Sequence, residues 1–175
     1  MITTYKLDPS HTHADFSVKH MMISKVKGGF EKIEGTFLYD AADLTQSTVS
    51  VKIDTASIST GEAQRDAHLK SGDFFDVEKY PAIEFRSTRF FKSDDEIRVL
   101  GDLTVHGVTR PVELEVEELS DEVKDPWGNR KRGISAKTKI KRKDFGLTWN
   151  AALESGGILV GDEVTITINA ELIAE

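Results

Sequence analysis

Apolar and polar residues alternate with a period of two along most of the chain. In VTITINAEL, Val164, Ile166, Ile168, Ala170 and Leu172 share one face, and Thr165, Thr167, Asn169 and Glu171 share the other. TVSVKID groups Val49, Val51 and Ile53. HADFSVKH sets Ala14, Phe16, Val18 and His20 against Asp15, Ser17 and Lys19. Such alternation predicts strands buried on one face only. About eight or nine strands result, several near ten residues long, against a usual mode of about five to six.

Charge suggests a register for one strand pair. Val112, Leu114 and Val116 alternate with Glu113, Glu115 and Glu117, while Ala136, Thr138 and Ile140 alternate with Lys137, Lys139 and Lys141. Folding about Trp127 in the turn sequence DPWGN predicts Glu113 opposite Lys141, Glu115 opposite Lys139 and Glu117 opposite Lys137. KTKIKRK is then a solvated strand face and not a nucleic-acid patch. Folding AIEFRSTRFF and IRVLGDLTV about Asp94 predicts Phe85 with Leu103, Ile83 with Val105, Phe91 with Ile97 and, outside, Arg86 with Asp102. Val26–Tyr39 holds Gly28, Gly29 and Gly35 and changes apolar parity between Phe30 and Ile33, which predicts a bulge or bend.

One helix interrupts the pattern. Ser59 with Glu62 fits a capping box, Glu62–Lys70 is mostly good helix formers, Asp66 and Lys70 form an i,i+4 pair, and Gly72 can end the helix. Phe145–Gly161 is a long apolar connection, of the kind that forms lids or interfaces. Within it, Asn150 could cap a single turn over 151–154.

Antiparallel strands with one apolar face close as a sandwich or a barrel, and a nearly continuous meander favours the barrel. A barrel of about eight strands encloses packed side chains or one small ligand. Strands of about ten residues, tilted near 40°, make it about 25 Å tall. Such a chamber suits a long, thin, apolar ligand. A barrel filled by its own side chains is the alternative.

Polar residues on the inner face qualify that picture. His20 lies with Phe16 and Val18, Arg142 continues the Thr138 and Ile140 face, and Ser87 and Arg89 follow Ile83 and Phe85. Buried charge is costly unless paired. An ion pair closing a barrel end, with Asp66 or Asp144 as partner, is one reading. Recognition of a ligand's polar head is the other.

The 175 residues predict a single domain spanning 1–175. The net charge of −7 argues against duplex DNA or an anionic membrane as partner. No cysteine is present, so disulfides and thiol chemistry are excluded. MITTYKLDPSHTHADF has no basic start and no apolar run, so the cytoplasm is the expected compartment. No run is long and apolar enough for stable membrane insertion. Nucleophile-elbow, Walker and dinucleotide motifs are missing, so no cofactor and no catalytic residue is assigned. His11 and His13 could chelate on one strand face, but two histidines without a third ligand are too few for a metal site.

Several blocks together resemble the YceI-like family. They are YKLDPSHTHADFSVKH, VSVKIDTASISTGEAQRDAHLKSGDFFDVEKYPAIEFRST, GDLTVHGVTRPVEL and KRKDFGL, in that order between Tyr5 and Leu147. The resemblance implies a mainly β fold: an extended antiparallel lipocalin-like barrel with one short helix packed beside it. It also implies a polyisoprenoid or isoprenoid quinone bound in the pore, often in a homodimer. Many members carry an export signal, which this chain's start does not resemble. His11, His20, Arg65, Asp66, His68, Phe75, His106, Arg142 and Phe145 match as motif residues.

The leading expectation is a non-enzymatic carrier or store for an apolar isoprenoid. Phe16, Val18, Phe37, Val49, Val51 and Ile53 would contact the ligand, with Phe85, Leu103, Leu114 and Ile140 on the facing strands. His20 and Arg142 would orient a polar head. An enzyme acting on an apolar isoprenoid-type substrate, with His20 or His68 as acid or base, is the alternative, and a fully packed interaction module is the third.

Overall fold

The computed structural model describes residues 1–154 and 156–175. Its strands are β1 (Ile2–Leu7), β2 (His13–His20), β3 (Ser24–Phe30), β4 (Ile33–Asp40), β5 (Thr48–Asp54), β6 (Ile58–Ser59), β7 (Ala82–Ser93), β8 (Glu96–Val105), β9 (Val108–Leu119), β10 (Val123–Lys124), β11 (Arg130–Lys141) and β12 (Val160–Ala174), with one α-helix, α1 (Ala63–Lys70). Neighbours pair in the order β11, β9, β8, β7, β5, β4, β1, β12, and β12 returns to β11, which closes an eight-stranded antiparallel barrel.

Three of the barrel strands are broken. β2 continues β1, β3 leads into β4, and β6 continues β5, so the ladder β12–β2–β3–β6 extends the same wall. Local polar residues make the breaks. Asp8 accepts from Ser10 N and Ser10 Oγ at 3.1 and 2.7 Å, with Pro9 between them. Asp54 accepts from Ala56 N at 3.1 Å. These are Asx-type turns, which draw backbone donors away from the ladder. The bend predicted between Phe30 and Ile33 falls at Glu31–Lys32.

Two registers depart from expectation. β7 and β8 align Phe85 with Leu103 and Arg86 with Asp102, as predicted, but a bulge between Ser87 and Arg89 then shifts the pairing by one. Phe91 therefore meets Arg98, not Ile97, and Phe90 turns inward, buried beside Val99. Arg89 lies outside, over the Phe91 ring. Gly101 stands opposite the bulge, where a Cβ would come within 2.7 Å of Arg86 O.

The charged hairpin slides by two residues. Lys137 faces Glu115, and Ala136 faces Val116. Parity survives, so the lysines stay outside. Lys139 pairs with Glu163 of β12 at 3.7 Å, and Lys137 reaches Glu117 diagonally at 3.5 Å. β11 must fit β12 along its other edge, from Lys131–Ile173 to Lys141–Glu163, and that long ladder outweighs weak surface pairs.

The helix forms where predicted, with a different cap. Glu62, not Ser59, is the N-cap, and its carboxylate accepts from Gln64 N and Arg65 N. Asp66 turns to Thr60, accepting from its N–H at 2.9 Å and its hydroxyl at 2.5 Å, in place of Lys70. Asn150 caps no helical turn. Its amide holds Val160 instead, donating to the carbonyl at 2.7 Å and accepting from the N–H at 3.0 Å.

Candidate functional site

Inside the barrel lies a cavity of about 590 Å³. Its wall follows from strand alternation. β2 contributes Phe16, Val18 and His20, β4 contributes Phe37, and β5 contributes Val49, Val51 and Ile53. Phe85, Leu103, Leu114 and Ile140 face them from β7, β8, β9 and β11, and Arg142 borders the cavity beyond β11. Every residue expected to touch a ligand thus lines one space.

The two ends differ. Leu7, Phe37, Phe90, Val99, Ala136 and Leu172 line one region with apolar atoms. Nearby, a part-buried polar cluster binds the strands together: Arg132 Nε donates to Tyr5 Oη at 2.8 Å, and Tyr5 donates to Glu122 at 2.8 Å. Burial pushes the Tyr5 hydroxyl pKa up, with Arg132 opposing. At the other end, His20 of β2 and Glu62, Gln64, Arg65 and His68 of the helix segment bring polar residues to the lining. The helix therefore contributes directly to the chamber wall.

The charges of the helix are largely engaged. Arg65 Nε donates to Thr60 Oγ1 at 2.8 Å and its Nη2 to Thr60 O at 2.9 Å, so Arg65 and Asp66 clamp the same threonine from two sides. His68 Nε2 lies 2.9 Å from Asp73 Oδ2, and its ring packs edge-on against Phe74 and Trp149, 5.1 and 4.8 Å away. His106 is held by ring packing on Tyr80 at 4.7 Å.

Arg142 takes a role the sequence did not suggest. It is 4% exposed and has neither Asp66 nor Asp144 as an ion-pair partner. Its N–H groups donate to the carbonyls of Gly161 (2.8 Å), Leu147 (2.7 Å), Trp149 (2.9 Å) and Val160 (3.2 Å). Desolvation pulls its pKa below the ordinary value, with Asp162 opposing. The guanidinium thus ties the ends of the apolar connection to the barrel. Trp149, Leu147 and Leu159 of that connection line the cavity, as do Phe75 and Phe90. The sequence singled out the connection as apolar, but Phe90 was hidden by the bulge.

His11 gathers with Asp8 and Glu171, not with His13. Lys131 Nζ lies 3.2 Å from both carboxylates, so a protein cation already sits where a metal would and offsets one of the two negative charges. Serine, histidine and lysine contacts hold the Asp8 carboxyl well below the usual range, the Ser10 hydroxyl most strongly and burial opposing.

A closed antiparallel barrel around one apolar chamber, with polar residues gathered at one end, is the architecture of a lipocalin-like binding protein. The YceI-like domain family matches residues 5–172, and the chain belongs to that family. Protein YceI of Escherichia coli O157:H7 is 42% identical over 145 residues, covering 82% of this chain and 75% of that one. The crystal structure of the Campylobacter jejuni YceI protein is 32% identical, covers 90% of both chains and superposes with a TM-score of 0.74. A polyisoprenoid binding domain from Saccharophagus degradans shares the fold at a TM-score of 0.70, with 16% identity over 99% of both chains.

Proposed function

We propose that this protein is a non-enzymatic carrier or store for a long isoprenoid, either a polyprenyl lipid or an isoprenoid quinone. The cavity carries the reading. Its volume of about 590 Å³ falls in the range of ligand sites, and apolar side chains from every barrel wall line it. The name of the Saccharophagus degradans neighbour supports the same ligand class. Burial of an isoprenoid tail contributes about 25 cal/mol per Å² of apolar area, less the cost of ordering it. The tail lies against Phe16, Val18, Phe37, Val49, Val51 and Ile53, faced by Phe85, Leu103, Leu114 and Ile140. His20 and the Nη1 group of Arg65, which the Thr60 clamp leaves free, meet a polar head, while Arg142 acts mainly on the connection.

Organic extraction of the purified protein, followed by mass spectrometry, tests this. An isoprenoid in the extract, or a melting temperature raised by added isoprenoid, is the expected result. No lipid and no shift would sink the proposal. A second reading rests on the His68–Asp73 pair beside the cavity, an arrangement able to move a proton. It requires turnover that His20→Ala or His68→Ala abolishes while binding survives.

A further inference from the structure

The β2–β3 hairpin ends in Met21, Met22 and Ile23, which are 42%, 61% and 83% exposed. Met21 and Met22 have φ of 54° and 63°, the left-handed region that bulky side chains avoid. Ile23 N donates to His20 O at 3.2 Å, closing the turn. Folding alone favours Asn or Gly at such positions. Here the strained positions carry long apolar side chains that are not buried. Strain held at an exposed site points to function and not to stability.

The surroundings of the tip have a definite charge. Lys19 lies directly across from Lys25, and Lys27 lies opposite Ser17 on the same outer face. Like charges directly opposite oppose pairing. Between Phe16 and Phe30 there is no acidic residue. Among the described residues, these three lysines enter no ion pair. The nearby acids of β12 are engaged elsewhere: Glu163 pairs with Lys139, and Asp162 accepts from Lys143 N. Asp15, beyond Ser17 on the same outer face, is the one acidic residue of β2 and β3. A locally basic site thus sits on a chain whose net charge is −7.

The tip also adjoins the chamber. Met21 N donates to Leu159 O at 2.7 Å, and His20 and Leu159 line the cavity at its polar end. Ile158, 37% exposed, extends the apolar surface on the connection.

We infer that Met21, Met22 and Ile23, with Lys19, Lys25 and Lys27, form a docking surface for an anionic lipid bilayer. There the apolar tip enters the interface, the lysines meet acidic headgroups, and the chamber end faces the membrane that supplies the ligand. Short apolar tips flanked by basic residues bind such interfaces reversibly, without spanning them. A second copy of the chain is the less favoured occupant, because two such tips would bring six lysines together. The membrane reading also refines the argument from net charge, since a bilayer responds to the local field within a Debye length. The link to ligand exchange rests on the carrier reading; the docking does not.

Co-sedimentation of the full chain with phosphatidylcholine vesicles, with and without about one third phosphatidylglycerol, tests the docking. Binding to the anionic vesicles should be about tenfold stronger or more and fall in high salt. The double variant Met22→Ser, Ile23→Ser should lose it about tenfold, and Lys19→Glu with Lys25→Glu should lose the preference for acidic lipid. Absent or composition-independent binding by the native chain, or undiminished binding by the Met22/Ile23 variant, overturns the inference. So does a concentration-dependent dimer that the same variant dissolves without any vesicle binding. The ligand arm is separate: the Met22/Ile23 variant should take isoprenoid from detergent normally but from vesicles about tenfold more slowly. A native chain that docks but takes no isoprenoid from either source refutes the carrier reading alone.

Discussion

Arg142 Nη1 donates to the carbonyl oxygen of Leu147 at 2.7 Å, and the same nitrogen donates to Trp149 O at 2.9 Å. One buried cation thereby shapes the backbone between the end of β11 and the start of β12. Arg142→Ala leaves these carbonyls without donors in a dry setting, where an unsatisfied polar group costs about 1–3 kcal/mol. The expected loss is about 3 kcal/mol in all, seen as a melting temperature lower by about 6–12 °C. Arg142→Lys should recover only part, because an ammonium cannot reproduce the planar fork. Native stability in Arg142→Ala would contradict this account.

Asp8 should govern part of the acid limb of stability. Its folded pKa is depressed, so its contribution is full above the unfolded value of about 3.9 and is lost as pH falls below that toward the folded pKa. Asp8→Asn should therefore be less stable at neutral pH, by about 1.5–3 kcal/mol for the charge-assisted bonds removed. The gap between the two proteins should narrow as pH drops below about 4. Urea denaturation across this range reads the gap directly, and a gap independent of pH would be the contrary result.

Phe37 and Phe90 stack with ring centroids 5.7 Å apart, both 2% exposed. Each single change to Ala should cost about 3–5 kcal/mol, toward the low end because the site borders a cavity. The double variant should lose less than the sum by about 0.5–1.5 kcal/mol, the coupling expected of an aromatic pair. Strict additivity would mean that the bulge of β7 does not serve to bring these rings together.

Ala136 is buried and lines the chamber. Ala136→Phe should occupy ligand space, weakening isoprenoid binding by about tenfold or more. Because the new ring enters an existing cavity, the unliganded melting temperature should change by only a few degrees, roughly the effect of 1 kcal/mol. Calorimetry with and without ligand separates the two effects. Unchanged affinity in a folded variant would place the ligand elsewhere.

The inner faces were legible because alternation needs only local information. Phe16, Val18, Val49, Val51 and Ile53 reach the cavity as their parity demands. Parity fails where a strand gains a residue: the bulge at Ser87 and Arg89 sends Phe90 inward, and the nearby Ser-Thr pair gives no local signal for it. Capping was half legible. Helix α1 was placed correctly, but Glu62 rather than Ser59 holds its first amides, since Ser59 is already paired with Gly29 of β3.

By itself, then, the sequence determined the class of fold, the inward side of the strands that keep a regular alternation, the place of the helix and the apolar character of the chamber. These depend on residue type and on spacing along one strand. Tertiary structure decided which residues oppose one another and what Arg142 holds. A strand in a closed ring must satisfy two neighbours at once, so the charged pairing that looked best for β9 with β11 yielded to the longer ladder of β11 with β12. Arg142 found carbonyls, not a carboxylate, because the connection from β11 to β12 folds back over it and presents backbone oxygens that no pattern in the sequence displays.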